Sequence, residues 1–307
     1  MARVIVVGAG VVGLSCAVRL LEQGHRVDVV ARDLPLETTS AVAAALWYPY
    51  RAYPIDRVNA WSAATYRELA RLSTDQRTGV MMRRGTEVHR TRTADPWWSD
   101  SVPALTRVTT MPAPYIDGWS FEAPVVEMSL YLRWLVIQVE AHGGTLTRMA
   151  LNALPEGPGV EVVVDASGLG ARLLAKDGSL TPVRGQVVYV DQVGLDRWWL
   201  DESGPTYVVP RSEDIVVGGS DDEGEWDRRP DSARAERILS RAAELVPAIG
   251  RARVRGHKVG LRPARPSVRL ELEHRAATRI VHCYGHGGAG VTLSWGCADE
   301  VAAVVAT

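Results

Sequence analysis

The stretch that decides the fold is Val4-Ile5-Val6-Val7-Gly8-Ala9-Gly10-Val11-Val12-Gly13, which runs on through Leu14 to Glu22 and, past Gly24, into Arg26-Val-Asp-Val-Val-Ala31. Four apolar residues in a row read as a buried parallel strand. The three glycines fit G-x-G-x-x-G, a turn that lets backbone approach a pyrophosphate at a helix N-terminus. Gly13 to Glu22 reads as that helix and Arg26 to Ala31 as the next strand. Strand, glycine turn, helix and strand within about 30 residues form the unit in which this motif binds a dinucleotide.

A second glycine turn, Gly285-His286-Gly287-Gly288-Ala289-Gly290, lies near the other end of the chain, after Ile280 to Tyr284, which reads as a last buried strand. Backbone there must also approach something closely. A cofactor held between the two ends accounts for both turns. The end of the second strand leaves the dinucleotide open. Asp33 fits a ribose hydroxyl, whereas Arg32 fits a 2′-phosphate. The second turn, together with Asp165-Ala166-Ser167-Gly168, favours a flavin.

The 307 residues are 46% hydrophobic and 23% charged, enough for one large or two modest globular domains. A net charge of −1 gives no long-range field toward nucleic acid or anionic lipid, and neither is expected as a partner. Cys16, Cys283 and Cys297 are few, odd in number and without C-x-x-C spacing. That argues against a disulfide framework and a metal site and toward the cytoplasm. The glycines interrupting the first apolar run argue against a signal peptide. No run of about 20 apolar residues suggests a membrane span.

Helices are expected at Val58–Leu72, Met128–Ala141, Asp231–Leu245 and Leu293–Val305. Strands are expected at Val160–Val164, Gly185–Val190, Tyr207–Pro210, Ile215–Gly219, Arg253–Val259 and Ile280–Tyr284. Residues 50–115 carry one helical stretch and otherwise an irregular texture rich in Arg, Thr, Trp and Pro. The expected fold class is α/β: a discontinuous Rossmann-like FAD-binding domain (1–50, 125–183 and 255–307) with an inserted antiparallel-sheet substrate domain (51–124 and 184–254).

In Gly260-Leu261-Arg262-Pro263-Ala264-Arg265-Pro266 a proline follows each arginine. A stiff backbone suits bidentate carboxylate recognition, yet the same segment reads equally as a solvated surface loop. Tyr207, inside a strand, reads as core on its own residues. His286 reads as a brace for its glycine turn in preference to a general base.

Seven segments then combine: Val7-Gly-Ala-Gly-Val-Val-Gly-Leu-Ser15, Ala31-Arg-Asp-Leu-Pro35, Val42-Ala-Ala-Ala-Leu-Trp-Tyr-Pro-Tyr50, Arg184-Gly-Gln186, Tyr207-Val-Val-Pro210, Val259-Gly-Leu-Arg-Pro-Ala-Arg-Pro266 and Tyr284-Gly-His-Gly-Gly-Ala-Gly-Val-Thr292. With these, in this order, the chain resembles bacterial-type members of the D-amino-acid oxidase family of FAD flavoproteins over nearly its full length. The resemblance implies FAD-dependent oxidative deamination of neutral, or basic, D-amino acids to 2-oxo acids, with ammonia and hydrogen peroxide. It implies hydride transfer from the α-carbon to flavin N5, O2 as acceptor, and no residue acting as acid or base. A homodimer is compatible with it.

By residue, the resemblance implies that Arg262 and Tyr207 bind the substrate carboxylate, that the Gly288 carbonyl accepts from the amine, and that Tyr50 is a pocket aromatic. For FAD it implies Ala9, Gly10, Val11 and Val12 at the pyrophosphate and Arg32 near the adenosine. Thr39, Ser40, Ala45, Leu46, Leu151, Ser167, Gly287, Gly288, Gly290 and Thr292 would complete the site. Departures are informative. Ser203 stands where mammalian members carry a second tyrosine, and Trp198 to Glu202 is short for an active-site lid. Leu200 and Asp221 stand where relatives that oxidise D-aspartate carry extra arginines, which argues against an acidic substrate. The other readings carried are a glycine- or sarcosine-type amine oxidase and a nicotinamide-dependent dehydrogenase.

Overall fold

The structure, a computed structural model, describes all residues except Pro112 and Ala276. The chain begins β1 (Arg3–Val7), α1 (Val11–Glu22), β2 (Arg26–Ala31), the unit anticipated from the glycine motif. It continues through α2 (Ile55–Leu72), β3 (Val80–His89), β4 (Leu105–Arg107), β5 (Asp117–Val126), α3 (Met128–Ala141), β6 (Thr145–Arg148), β7 (Val162–Asp165) and the short α4 (Ala171–Leu174). Then come β8 (Thr181–Asp191), β9 (Trp198–Asp201), β10 (Thr206–Pro210), β11 (Asp214–Gly218), β12 (Asp222–Glu223) and α5 (Ser232–Leu245). The chain ends with β13 (Val254–Arg275), β14 (Thr278–His286) and α6 (Gly290–Ala306).

The strands form one sheet in the order β4-β5-β3-β9-β10-β11-β8-β13-β14-β7-β1-β2-β6, with β12 pairing on β8. From β14 to β6 all neighbours are parallel. Val4, Val6, Val162, Val163 and Val164 are fully buried there, as a strand covered on both faces requires. From β8 to β9 the neighbours are antiparallel. The fold class is therefore α/β, and the two textures share one sheet. Strand β13 joins them: its first half, to Ala264, pairs with β8 and its second half, from Arg269, pairs with β14. The register breaks between those residues, where Pro266 sits, so a residue without an N–H falls where the ladder is interrupted.

Two features differ from the expected elements. Residues 80–89 form the ten-residue strand β3, paired antiparallel along its whole length with β5. Trp198 to Asp201, at the lid position, is strand β9, with Trp198 fully buried and its indole N–H donating to the Arg83 carbonyl at 2.8 Å. Trp98, Phe121 and Trp198 pack in series beneath this half, with centroids 4.8 and 4.7 Å apart. Among the described residues no helix is long and apolar enough to cross a membrane.

Candidate active site

A single cavity of about 760 Å³ runs from the first glycine turn, past the Ser167 turn, to Arg262 and the second glycine turn. All of the anticipated cofactor residues line it: Ala9, Gly10, Val11, Val12, Arg32, Thr39, Ser40, Ala45, Leu46, Leu151, Ser167, Gly287, Gly288, Gly290 and Thr292. The substrate candidates Tyr50, Tyr207, Arg262 and Gly288 line it as well. The fold thus brings together positions up to some 280 residues apart in the chain.

At the dinucleotide end, α1 starts at Val11 with no side-chain cap and no acidic residue in its first turn. Such a terminus presents first-turn backbone N–H groups and the positive end of the helix dipole, a setting that suits a pyrophosphate. Ser40 Oγ accepts from the Val11 N–H at 3.0 Å and ties the turn to the segment behind it. The Arg32 guanidinium is 71% exposed and paired with Asp33, so it can reach an adenosine at the cavity's rim. On the flavin side Thr292 Oγ1 donates to the Tyr48 carbonyl at 3.0 Å and accepts from the Tyr48 N–H at 3.1 Å. An uncapped helix, a cavity of this length and a backbone-lined far end fit FAD.

The end that holds the substrate candidates is built on the β8–β13 pair and on β10. Gly185 of β8 lies opposite Gly260, diagonal to Arg262. A Cβ on Gly185 would stand 2.5 to 2.7 Å from the Arg262 guanidinium, so only glycine leaves room for that group to lie flat across the strand. Arg262 Nη1 donates to the Ser220 carbonyl at 2.9 Å, which fixes one edge of the fork and leaves the other toward the cavity. Tyr207 packs its ring on Gly218 of β11, where a Cβ would clash at 2.0 Å. Burial pushes the Tyr207 hydroxyl above its ordinary pKa, with the Arg262 charge opposing, so it is a neutral donor. Gly288 lies against Tyr50 and the Arg262 side chain, its Cβ position 3.1 and 3.5 Å from them.

The arginine pair that the sequence left ambiguous separates. Arg262 faces the cavity, whereas Arg265 turns away, donating to Asp177 at 3.0 Å and to the Ser267 carbonyl at 2.9 Å. Asp221 also faces the cavity. Its carboxylate accepts from the Tyr50 hydroxyl at 3.1 Å and lies 3.5 Å from Arg262 Nη1. Gly185 stood within a matching segment of the sequence without a role, and Ser220 was not singled out, yet both support Arg262. A cross-strand glycine opposite Gly260 was the available signal for the first.

His286 is buried beside Cys283 and Cys297, with its Nε2 unpartnered among the described residues. The donor atoms of these three side chains lie within 4.8 Å of one another, a grouping that the linear spacing of the cysteines did not suggest.

Tyr48, on the cavity wall, donates its hydroxyl to buried Glu87 at 2.9 Å. Burial pushes the Glu87 carboxyl up to about 8, and the Glu202 carboxylate adds to the shift. The folded protein therefore holds a proton that the unfolded chain releases at about 4.3. Stability must fall as pH rises through that window. A Glu87→Gln variant, neutral throughout, is expected to lose less Tm between about pH 6 and about pH 8.5 than the parent. An equal loss in thermal melts of both would contradict this account of Glu87.

The DAO family, described as FAD dependent oxidoreductase, matches residues 3–304. The D-amino-acid oxidase of Rubrobacter xylanophilus is 50% identical, over 99% of this chain and 96% of its own. That of Streptomyces coelicolor is 41% identical, over 98% and 95%. Among solved structures, glycine oxidase from Geobacillus kaustophilus superposes with a TM-score of 0.83 at 21% identity, covering all of this chain and 95% of that one, a likeness of fold. With a family match across almost its whole length and a cavity suited to the cofactor, the chain belongs to the DAO family of FAD-dependent oxidoreductases.

Proposed function

We propose that this protein is a D-amino-acid oxidase acting on neutral D-amino acids, with the substrate carboxylate on Arg262 and Tyr207 and its amine on the Gly288 carbonyl. The observation that carries the reading is that one cavity joins the N-terminus of α1 to the inward-facing Arg262 guanidinium beside the neutral Tyr207 phenol. FAD held in this cavity would supply a two-electron acceptor for the α-hydrogen and, on reoxidation by O2 with uptake of a proton, give hydrogen peroxide. The chain's own contribution is orientation. The guanidinium fork and the phenol hydroxyl hold the carboxylate and the Gly288 carbonyl accepts from the amine; with the amine bound in its neutral form, no side chain need remove a proton. Three fixed contacts define the face from which the α-hydrogen is presented, and rate comes mainly from that positioning. The imino acid that leaves the site hydrolyses to a 2-oxo acid and ammonia.

In this reading the parallel half of the sheet carries the cofactor and the antiparallel half the substrate, with β13 supplying Arg262 at their junction. Three buried, unpaired cysteines support a reducing, cytoplasmic setting. The test is anaerobic mixing of the holoprotein with paired D- and L-amino acids while following flavin absorbance. Bleaching by D-alanine and other neutral D-isomers is expected. Bleaching by L-isomers alone, or by glycine and sarcosine in preference to D-alanine, would replace this reading with another amine oxidase.

A further inference from the structure

Arg51 is a cation at the substrate end that none of the expected roles uses. Its guanidinium lies over the Tyr50 ring, 5.2 Å from the centroid, and Tyr50 lines the cavity. Its backbone sits at φ +44°, a left-handed conformation that a non-glycine residue keeps only when its surroundings hold it. Its side chain pairs with Asp221 Oδ2, which also accepts from the Tyr50 hydroxyl at 3.1 Å. The other carboxylate oxygen, Oδ1, stands 3.5 Å from Arg262 Nη1. One carboxylate, 15% exposed, thus bridges two arginines.

The charges decide which substrates fit. Arg51 and Arg262 supply two positive charges, and Asp221 supplies one negative charge. An α-carboxylate on Arg262 completes the balance. A second carboxylate, on the substrate side chain, would meet an Arg51 already neutralised, with the Asp221 carboxylate as a like charge beside it. Arg51 is 69% exposed and Asp221 15%, so the rejection comes from the partly buried carboxylate, where like charges set side by side are disfavoured.

We infer that Asp221 is the residue that closes this pocket to dicarboxylic D-amino acids, by occupying Arg51, and that Arg51 is a latent receptor for a side-chain carboxylate. This deepens the reading of Arg262 as the α-carboxylate site and rests on it. Asparagine in place of Asp221 keeps the shape and the acceptor for Tyr50, removes the charge and leaves Arg51 unneutralised.

The experiment measures kcat/KM for D-aspartate and D-alanine in the parent, in Asp221→Asn and in Asp221→Asn combined with Arg51→Gln. The D-aspartate to D-alanine ratio is expected to rise by about tenfold or more in the single variant. In the double variant it should return to within about threefold of the parent. A ratio unchanged in Asp221→Asn overturns the inference, and so does a gain that survives the loss of Arg51. Should Asp221→Asn turn over neither substrate, flavin absorbance titrations of the same holoproteins with succinate and with propionate give the same comparison. Succinate must then tighten relative to propionate, and must do so only while Arg51 is present; the opposite result overturns the inference. A parent protein bleached by no D-amino acid would instead sink the reading on which this one rests.

Discussion

Replacing Arg262 with alanine is expected to lower kcat/KM for D-alanine by roughly 30- to 5,000-fold while leaving FAD bound. The estimate follows from the cost of truncating one partner of a hydrogen-bonded charge pair in a partly buried site, about 2 to 5 kcal/mol. The upper part of the range is favoured by the setting. The guanidinium is 20% exposed and is already oriented by the Ser220 carbonyl, so little is left to fix when substrate binds. Its removal also leaves Asp221 facing the cavity with only Arg51 to balance it, which adds repulsion to lost attraction. FAD should stay because the first glycine turn and the head of α1 lie at the other end of the cavity. Steady-state turnover with D-alanine, together with the flavin content of the purified variant, checks both halves. Normal turnover would remove Arg262 from the substrate site, and loss of flavin with loss of turnover would make its role structural. A parallel Arg265→Ala variant serves as the contrast, since that guanidinium is engaged by Asp177 and Ser267 outside the cavity.

The contrast between the two arginines marks what could be read from residues alone. Stiffness of the Arg-Pro repeat said that a guanidinium would be held, but not which one. That depended on the bend of β13, where the strand leaves β8 and joins β14 and its two arginines part. The βαβ unit was legible because its signals are local: an apolar run, glycines at fixed offsets and an amphipathic helix. Strand β3 was not. Its exposed Arg84 and half-buried Met82 and Arg83 break the alternation that marks a half-buried strand, and its partners β5 and β9 come later in the chain. Tyr207 shows the same limit. Its strand was clear, but which way the ring leans was set by Gly218 on the neighbouring strand. The Arg51–Asp221 pair, 170 positions apart, carried no local signal at all.

Gly13→Ala is expected to yield a protein that purifies largely without flavin and regains it only at high FAD concentration. Gly13 lies in the first turn of α1, and a Cβ there would stand 2.0 Å from the Gly8 carbonyl oxygen and 3.3 Å from the Ala166 side chain. Neither obstacle can move cheaply. Gly8 is fixed at φ +119° with its own N–H donating to the Val30 carbonyl at 2.9 Å, and Ala166 donates to the Val7 carbonyl at 2.9 Å. The added methyl must therefore push the head of the helix away from the turn. That displaces the N–H groups that would meet the pyrophosphate and costs about 1 to 3 kcal/mol of packing. Lost cofactor compounds the effect, because a ligand at 100 times its Kd contributes about 2.7 kcal/mol to the folded state. We expect a FAD Kd raised at least about tenfold and a lower Tm that excess FAD partly restores. Gly24→Ala is the matched control. Its φ of +83° makes alanine unfavourable by about 1 kcal/mol, yet nothing lies within 4 Å of the added methyl. That variant should lose a little stability and keep its flavin. Equal flavin retention in the two variants, measured by absorbance after gel filtration, would show that close packing at Gly13 has no part in holding the dinucleotide.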